Sequence, residues 1–67
     1  MRSATIEPGW VSAGRLVWTW HVQTRRGAFG GSCDSSTDAL HAASRHGAPA
    51  RIEAYIPQGE ALVWRER

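Results

Sequence analysis

The segment LVWTWHV, residues 16–22, constrains the fold of this chain more than any other feature. Its residues alternate, so that Leu16, Trp18, Trp20 and Val22 point to one side of an extended strand. A chain of 67 residues buries only about 60% of the surface that its unfolded form exposes. Two indoles on one side of a strand are therefore either the floor of a small core or an aromatic platform that faces a partner.

The sequence DSSTDALHAASRHGAP predicts a helix whose composition favours the first interpretation. Ser35, with Asp38 three residues later, fits a capping box, and Asp34 is an alternative cap. Gly47 supplies a left-handed stop, and Pro49 prevents the helix from continuing. The predicted apolar stripe is narrow and consists mostly of methyl groups: Ala39, Leu40, Ala42 and Ala43. Such a helix can lie close to a sheet but needs bulky side chains from it, which the two indoles provide.

The remaining segments predict further strands on both sides of the helix. Residues 5–7 form a short strand that ends at Pro8, residues 15–24 and 28–33 form a hairpin, and residues 51–56 and 60–66 form a second one. In the segment of residues 51–56, the side chains expected to face inward are those of Ile52, Ala54 and Ile56. We predict one α+β domain over residues 1–67, with an antiparallel sheet of four or five strands, one helix packed on one face and the order ββαββ. Residues 1–14 are either an N-terminal arm or a short extra strand.

One helix covers one side of a sheet, and the other side is either solvated or available for binding. The strand positions expected on that side carry basic and aromatic residues: His21, Arg25, Arg51, Tyr55 and Arg65. Such side chains can lie along phosphates or enter a groove of DNA, although a solvated sheet face is also polar. Trp10 lies outside the alternation and is either exposed for a partner or a lid over the edge of the sheet.

The charge is modest, and the arginine bias has two explanations: a partner that carries phosphates, or the codon usage of a GC-rich genome, which also fits the abundance of Ala and Gly and the lack of Asn. The net charge is +2, and all eight basic residues are arginine, whose planar guanidinium binds phosphate bidentately. Cys33 is the single cysteine and cannot form an internal disulfide. The start MRSATIEPGW has no apolar leader, and no stretch approaches the length of a membrane span, so we expect a cytoplasmic protein without a membrane partner.

The sequence contains no pattern typical of catalysis or of a metal site. Cys33, His41 and His46 could be considered as metal ligands, but the two histidines are five residues apart and diverge around a helix. Cys33 without an orienting group and a pocket is not a predicted nucleophile. We therefore expect a non-enzymatic module with no catalytic residues, no metal and no cofactor.

The run GSCDSSTDALHA, residues 31–42, resembles the strand-to-helix junction of integrase-type and plant ethylene-response DNA-binding domains. That junction reads roughly G-x-F-[DS]-T-x-x-E-A-x-x-A, and the residues that match in kind are Gly31, Asp34, Asp38, Ala39 and Ala42. Ser35 stands in the place of Thr, and Cys33 in the place of Phe. Small uncharacterised bacterial ββαββ domains have the same junction. The resemblance covers about a fifth of the chain.

The resemblance implies that the three-stranded sheet before the helix lies in the major groove of DNA. Its strand arginines and tryptophans would contact the DNA, and Arg15, Arg25 and Trp10 would lie on those strands.

These observations predict a binding module with one of two partners. In the first hypothesis the partner is nucleic acid, specifically DNA, with Arg25, Arg51 and Arg65 on phosphates and His21 or Tyr55 near bases or sugars. In the second hypothesis the partner is a protein. The chain would then be a small regulator or inhibitor encoded by a mobile element, or a homodimer, and it would use Trp10 and the open side or edge of the sheet.

Overall fold

The computed structural model describes residues 2–10 and 14–66, apart from the side chains of Trp10 and Glu53. It contains a five-stranded antiparallel sheet in the order β3-β2-β1-β5-β4 and one α-helix. The elements are β1 (Ser3–Trp10), β2 (Leu16–Thr24), β3 (Gly27–Cys33), α1 (Ser36–Ser44), a 3-10 turn (Ile52–Ala54), β4 (Ile56–Gln58) and β5 (Ala61–Arg65). The predicted α+β class, with one helix on an antiparallel sheet, is confirmed, but the order along the chain is βββαββ rather than ββαββ.

The first strand is the largest departure from the predicted topology. We expected an arm or a short strand, whereas β1 has eight residues and lies at the centre of the sheet. It pairs with β2 along its whole length and with β5 from Ser3 to Ile6. Pro8 lies beyond the pairing with β5, where β1 has a single neighbouring strand and a missing N–H is tolerated.

The core lies between α1 and one face of the sheet, as the alternation from Trp18 to Val22 predicts. At the start of β2 the prediction is wrong, because Leu16 is 41% exposed and Val17 is buried. The side chains of Ile6 and Val22 are fully buried, and Trp20 is 9% exposed. The other residues of this buried cluster are Ala4, Ala39, Leu40, Ala43, Ala48 and Tyr55. Trp18 and Trp64 are partly buried and pack against it, so the core interpretation of the tryptophans in β2 is confirmed.

Both predicted ends of the helix are present. At the start, the Asp38 backbone N–H donates to Ser35 Oγ at 3.1 Å, which is one half of the capping box. At the other end, the Gly47 N–H donates to the Ser44 carbonyl and the Ala48 N–H donates to the Ala43 carbonyl. Gly47 has a φ of 100°, so these bonds form a Schellman motif with glycine at the left-handed position. Ala43 and Ala48 are both buried at this closure.

The segment before β4 does not form the predicted strand. Ile52 lies in the 3-10 turn with 53% exposure, and Ile56 in β4 is 69% exposed. Tyr55 and Ala54 pack against the core in their place. The inward assignment of the two isoleucines is therefore wrong, because the 3-10 turn changes which residues of this segment face the helix side.

The two edges of the sheet differ in how they could pair with another strand. At one edge, β4 has three residues and Pro57 is the middle one. At the other edge, β3 has seven residues with neither proline nor a charged side chain. Short length and proline are devices that protect an edge, so the edge formed by β4 is the better protected of the two.

The packing of Trp20 on Gly31 generates a prediction about stability. A Cβ at Gly31 would lie 3.0 Å from the indole Nε1 of Trp20, whereas a Cβ at Gly9 would meet only Thr19 Oγ1 at 3.4 Å. Gly31→Ala should therefore destabilise the fold by roughly 1–3 kcal/mol. The matched control Gly9→Ala should be neutral or slightly stabilising, because alanine loses less entropy than glycine on folding. Urea denaturation measures both, and equal stabilities would contradict the packing described.

Candidate nucleic-acid interface

The face of the sheet away from α1, here the open face, is polar at most of its positions. Its central positions are Ser3, Thr5, Glu7, Thr19, His21, Gln23, Ala28, Gly30, Ser32, Val63 and Arg65. His21 is exposed in the middle of β2, and Arg65 is exposed at the end of β5. The prediction of three arginines on this face is wrong, because only Arg65 lies on a strand there. Arg25 lies in the turn between β2 and β3.

Two other predicted site residues lie elsewhere. Arg51 is exposed and precedes the 3-10 turn, so it is not on a strand. Tyr55 is 4% exposed within the core, and its hydroxyl has no hydrogen-bond partner among the described residues. Burial raises the pKa of Tyr55 to about 12. The assignment of Tyr55 to the open face is therefore wrong. The side chain of Trp10 lies outside the described residues.

Four of the seven described arginines line a groove at the end of the molecule where β2 turns into β3. This groove, here the basic cleft, has a volume of about 790 Å³ and is lined by Arg2, Thr24, Arg25, Arg26, Phe29, Arg45, His46 and Glu66. The turn supplies two arginines, and the end of α1 supplies Arg45 and His46. Four arginines thus face one glutamate in a groove that is open to solvent.

Arg2 is held in place by its neighbours. Its Nε and Nη2 donate to the two carboxylate oxygens of Glu66 at 3.1 and 2.9 Å, and its Nη1 donates to the Gly47 carbonyl at 3.4 Å. Its guanidinium carbon lies 5.6 Å from the centroid of a Trp64 ring. The hydrogen bond from Arg2 lowers the pKa of Glu66. Arg2 therefore joins β1, the end of α1 and the residue after β5 into one wall of the cleft.

The other cations of the cleft are available to a ligand. Within the described part of the chain, no acidic side chain forms an ion pair with Arg25, Arg26 or Arg45. Arg65, at the same end of the sheet opposite Ser3, has no such pair there either. These arginines can change partners without breaking an existing salt bridge.

Acidic side chains gather in the opposite half of the molecule. Of the described acidic side chains, Glu66 alone lies at the basic cleft, and the others are Glu7, Asp34, Asp38 and Glu60. Asp34 forms a salt bridge with Arg15 at that far end. Arg15 and Arg25, which the resemblance places together on DNA-contacting strands, lie at opposite ends of β2. The small net charge therefore conceals a strong separation of charge.

Three aromatic rings connect the core to the basic cleft. The Trp20 ring stacks on His46 with centroids 5.4 Å apart and planes 18° apart, and the Phe29 ring stacks on His46 at 4.3 Å and 15°. Trp20 is buried, whereas Phe29 is 37% exposed. The column thus begins in the core and ends with a partly exposed ring in the wall of the cleft.

Sequence reasoning missed most of the cleft. Arg26, Arg45, His46 and Phe29 were not among the predicted site residues, although two signals were visible. Arginines occupy a hairpin turn, and a basic pair ends the helix that follows it. Because β3 leads away from that turn and α1 runs back along the sheet, the two points lie at the same end. Arg2 and Glu66 join them only because β1 and β5 are neighbours in the sheet.

The side chains considered as metal ligands lie on different elements. Cys33 is partly buried against the core, and His41 is exposed on α1. Within residues 2–10 and 14–66, no three side chains of His, Cys, Asp or Glu are grouped as metal ligands would be. The described helices are all too short to cross a membrane.

Comparisons with protein-family models, with curated proteins and with solved structures find no significant match to this chain.

Tyr55 provides a test of the packing of the core. It is the single tyrosine of the chain, so the absorbance of tyrosinate reports on it alone. Its pKa in the folded protein, about 12, exceeds the value near 10 for an exposed tyrosine. The contribution of this pKa difference to the free energy of unfolding is complete below about pH 10 and is lost as the pH rises towards 12.

We therefore expect tyrosinate to appear near pH 12 or together with alkaline unfolding.

Tyr55→Phe removes a buried hydroxyl without a described partner and should keep or increase stability at neutral pH. It should also make stability less sensitive to pH above 10. An ordinary tyrosine titration near pH 10 in the folded protein would contradict the burial of Tyr55.

Proposed function

We propose that this protein binds nucleic acid and that the arginines of the basic cleft, together with Arg65, contact the phosphate backbone. One observation carries the proposal. Five of the seven described arginines lie at one end of the molecule, where Glu66 is the single described acidic side chain. Phosphate contacts supply most of the affinity in sequence-independent binding, and arginine is the side chain best suited to make them.

The open face continues the proposed binding surface from Arg65 towards the middle of the sheet. Gln23 and Ser3 lie in the same row across the sheet as Arg65, and His21 lies in the next row on that face. These exposed or half-exposed polar groups can hydrogen-bond to sugars or base edges. Trp18 and Trp20 are not part of the surface, because both face the helix.

The order of the first four elements supports the same proposal. Strands β1–β3 form a three-stranded meander, and α1 covers one of its faces. The resemblance at residues 31–42 implies a DNA-binding domain with this arrangement of strands and helix. The hairpin of β4 and β5, which extends the sheet beside β1, has no counterpart in what the resemblance implies.

The proposal predicts a strong dependence of affinity on salt and on arginines at one end of the molecule. Binding of a labelled oligonucleotide, followed by fluorescence anisotropy, should weaken steeply as salt rises. The double variant Arg26→Gln/Arg45→Gln should lower affinity at least about tenfold at low salt and reduce the salt slope by about 2.

Arg15→Gln is the matched control, because Arg15 is exposed and paired with Asp34 at the far end. Its affinity should remain close to that of the unaltered protein. Glu66→Gln removes the acidic side chain of the cleft and should raise affinity. Equal losses in the cleft and control variants, or binding that is insensitive to salt, would refute a phosphate-binding cleft.

A second candidate function is a protein–protein contact, which one observation favours. Ile56 is 69% exposed on β4, and it pairs with Val63, so that both lie on the open face. Exposed apolar side chains on a sheet often mark an interface. In this proposal the partner is a second copy of the chain.

Sedimentation equilibrium tests this second candidate. The protein should form a dimer at high concentration, and Ile56→Ser should shift the equilibrium towards the monomer. Ile52→Ser is the control, since Ile52 is exposed outside the strands. A monomer at every concentration would exclude the homodimer.

A further inference from the structure

We propose that Phe29 stacks on an unpaired nucleobase and that the protein therefore prefers single-stranded nucleic acid to duplex. This inference rests on the proposed function, because it names the form of nucleic acid that the basic cleft accepts. It assigns a base-binding role to a ring that composition and strand alternation would place in the core.

The geometry of the aromatic column carries the inference. Trp20, His46 and Phe29 stack in sequence, with nearly parallel planes and centroid distances of 5.4 and 4.3 Å. Phe29 is the exposed end of the column, since 37% of its surface is accessible. A nucleobase that stacks on the accessible part of the Phe29 ring would extend this series of aromatic contacts.

The surroundings of Phe29 match the chemistry of a nucleotide. Thr24, Arg25, Arg26 and Arg45 line the same groove, so the phosphates that flank a stacked base would meet guanidinium groups. A basic groove with an aromatic ring in its wall is the usual combination in proteins that bind single strands. Arg2 is held by Glu66 and Trp64, which fixes its part of the cleft wall.

The position of Phe29 explains the preference for single strands. In a duplex, both faces of each base are covered by neighbouring base pairs, so a ring can stack only at an end or after a base is unstacked. Phe29 lies on β3, the edge strand of the sheet, where a flexible strand can approach from the side. A single strand exposes its base faces at little energetic cost.

The experiment compares three ligands of equal length: oligothymidylate, an abasic strand of the same backbone, and a duplex. Fluorescence anisotropy should show that the unaltered protein binds oligothymidylate more tightly than either of the others. Phe29→Leu keeps an apolar side chain but removes the flat ring, and it should weaken oligothymidylate binding roughly 5- to 150-fold. Affinity for the abasic strand should not change, because that strand offers phosphates alone.

Phe29→Tyr is the matched rescue variant, since it restores a ring that can stack. Circular dichroism and thermal unfolding of both variants show whether the fold is intact. If Phe29→Leu weakens binding of the abasic strand as much as that of oligothymidylate, the ring only supports the cleft and the inference is wrong.

The two proposals fail in different ways. If the protein binds all three ligands equally and Phe29→Leu changes none of the affinities, the stacking role fails while the nucleic-acid function remains. If no ligand binds at low salt, the proposed function itself fails.

Discussion

The contact between the indole of Trp20 and the backbone at Gly31 is the constraint on which the rest of the structure depends. The helix brings mainly methyl groups to the interface, so the volume between helix and sheet must come from the strands. Trp20 supplies it by lying across the neighbouring strand, which is possible only because Gly31 has no side chain: an added Cβ would lie within 3.0–3.3 Å of three indole atoms. The same indole then supports His46 at the end of α1 and, through His46, Phe29. The same aromatic contacts therefore determine both the packing of the core and the geometry of the cleft.

The separation of charge follows from topology in a similarly direct way. A hairpin turn, the end of the helix, the start of β1 and the end of β5 all lie at one end of the sheet, and five of the seven described arginines occur at these points. The start of the helix and the turn between β4 and β5 lie at the other end with Asp34, Asp38 and Glu60. A net charge of +2 thus describes the molecule poorly, because the positive and negative side chains are concentrated at opposite ends.

Local signals in the sequence were sufficient for the helix and for β2. Ser35 and Gly47 mark the helix ends through specific hydrogen bonds. The alternation from Trp18 to Val22 identifies the side of β2 that is buried against the helix. The central position of β1 could not be predicted, because Pro8 and Gly9 weaken its strand signal and its partners are distant in sequence. Residues 51–56 alternate like a strand, but a 3-10 turn puts Tyr55 in the core. The basic cleft could not be derived either, since it depends on the strand order and not on any one segment.

The unequal edges of the sheet limit how copies of this chain could assemble. Pro57 interrupts the three residues of β4, so a strand added there would gain few backbone hydrogen bonds. The seven residues of β3 offer the longer row of hydrogen-bonding groups. Two copies that join through β3 use the same surface on both sides, and each then lacks a second good edge for another copy. Growth by strand addition would stop at a closed pair, which protects so small a sheet from extending into fibrils.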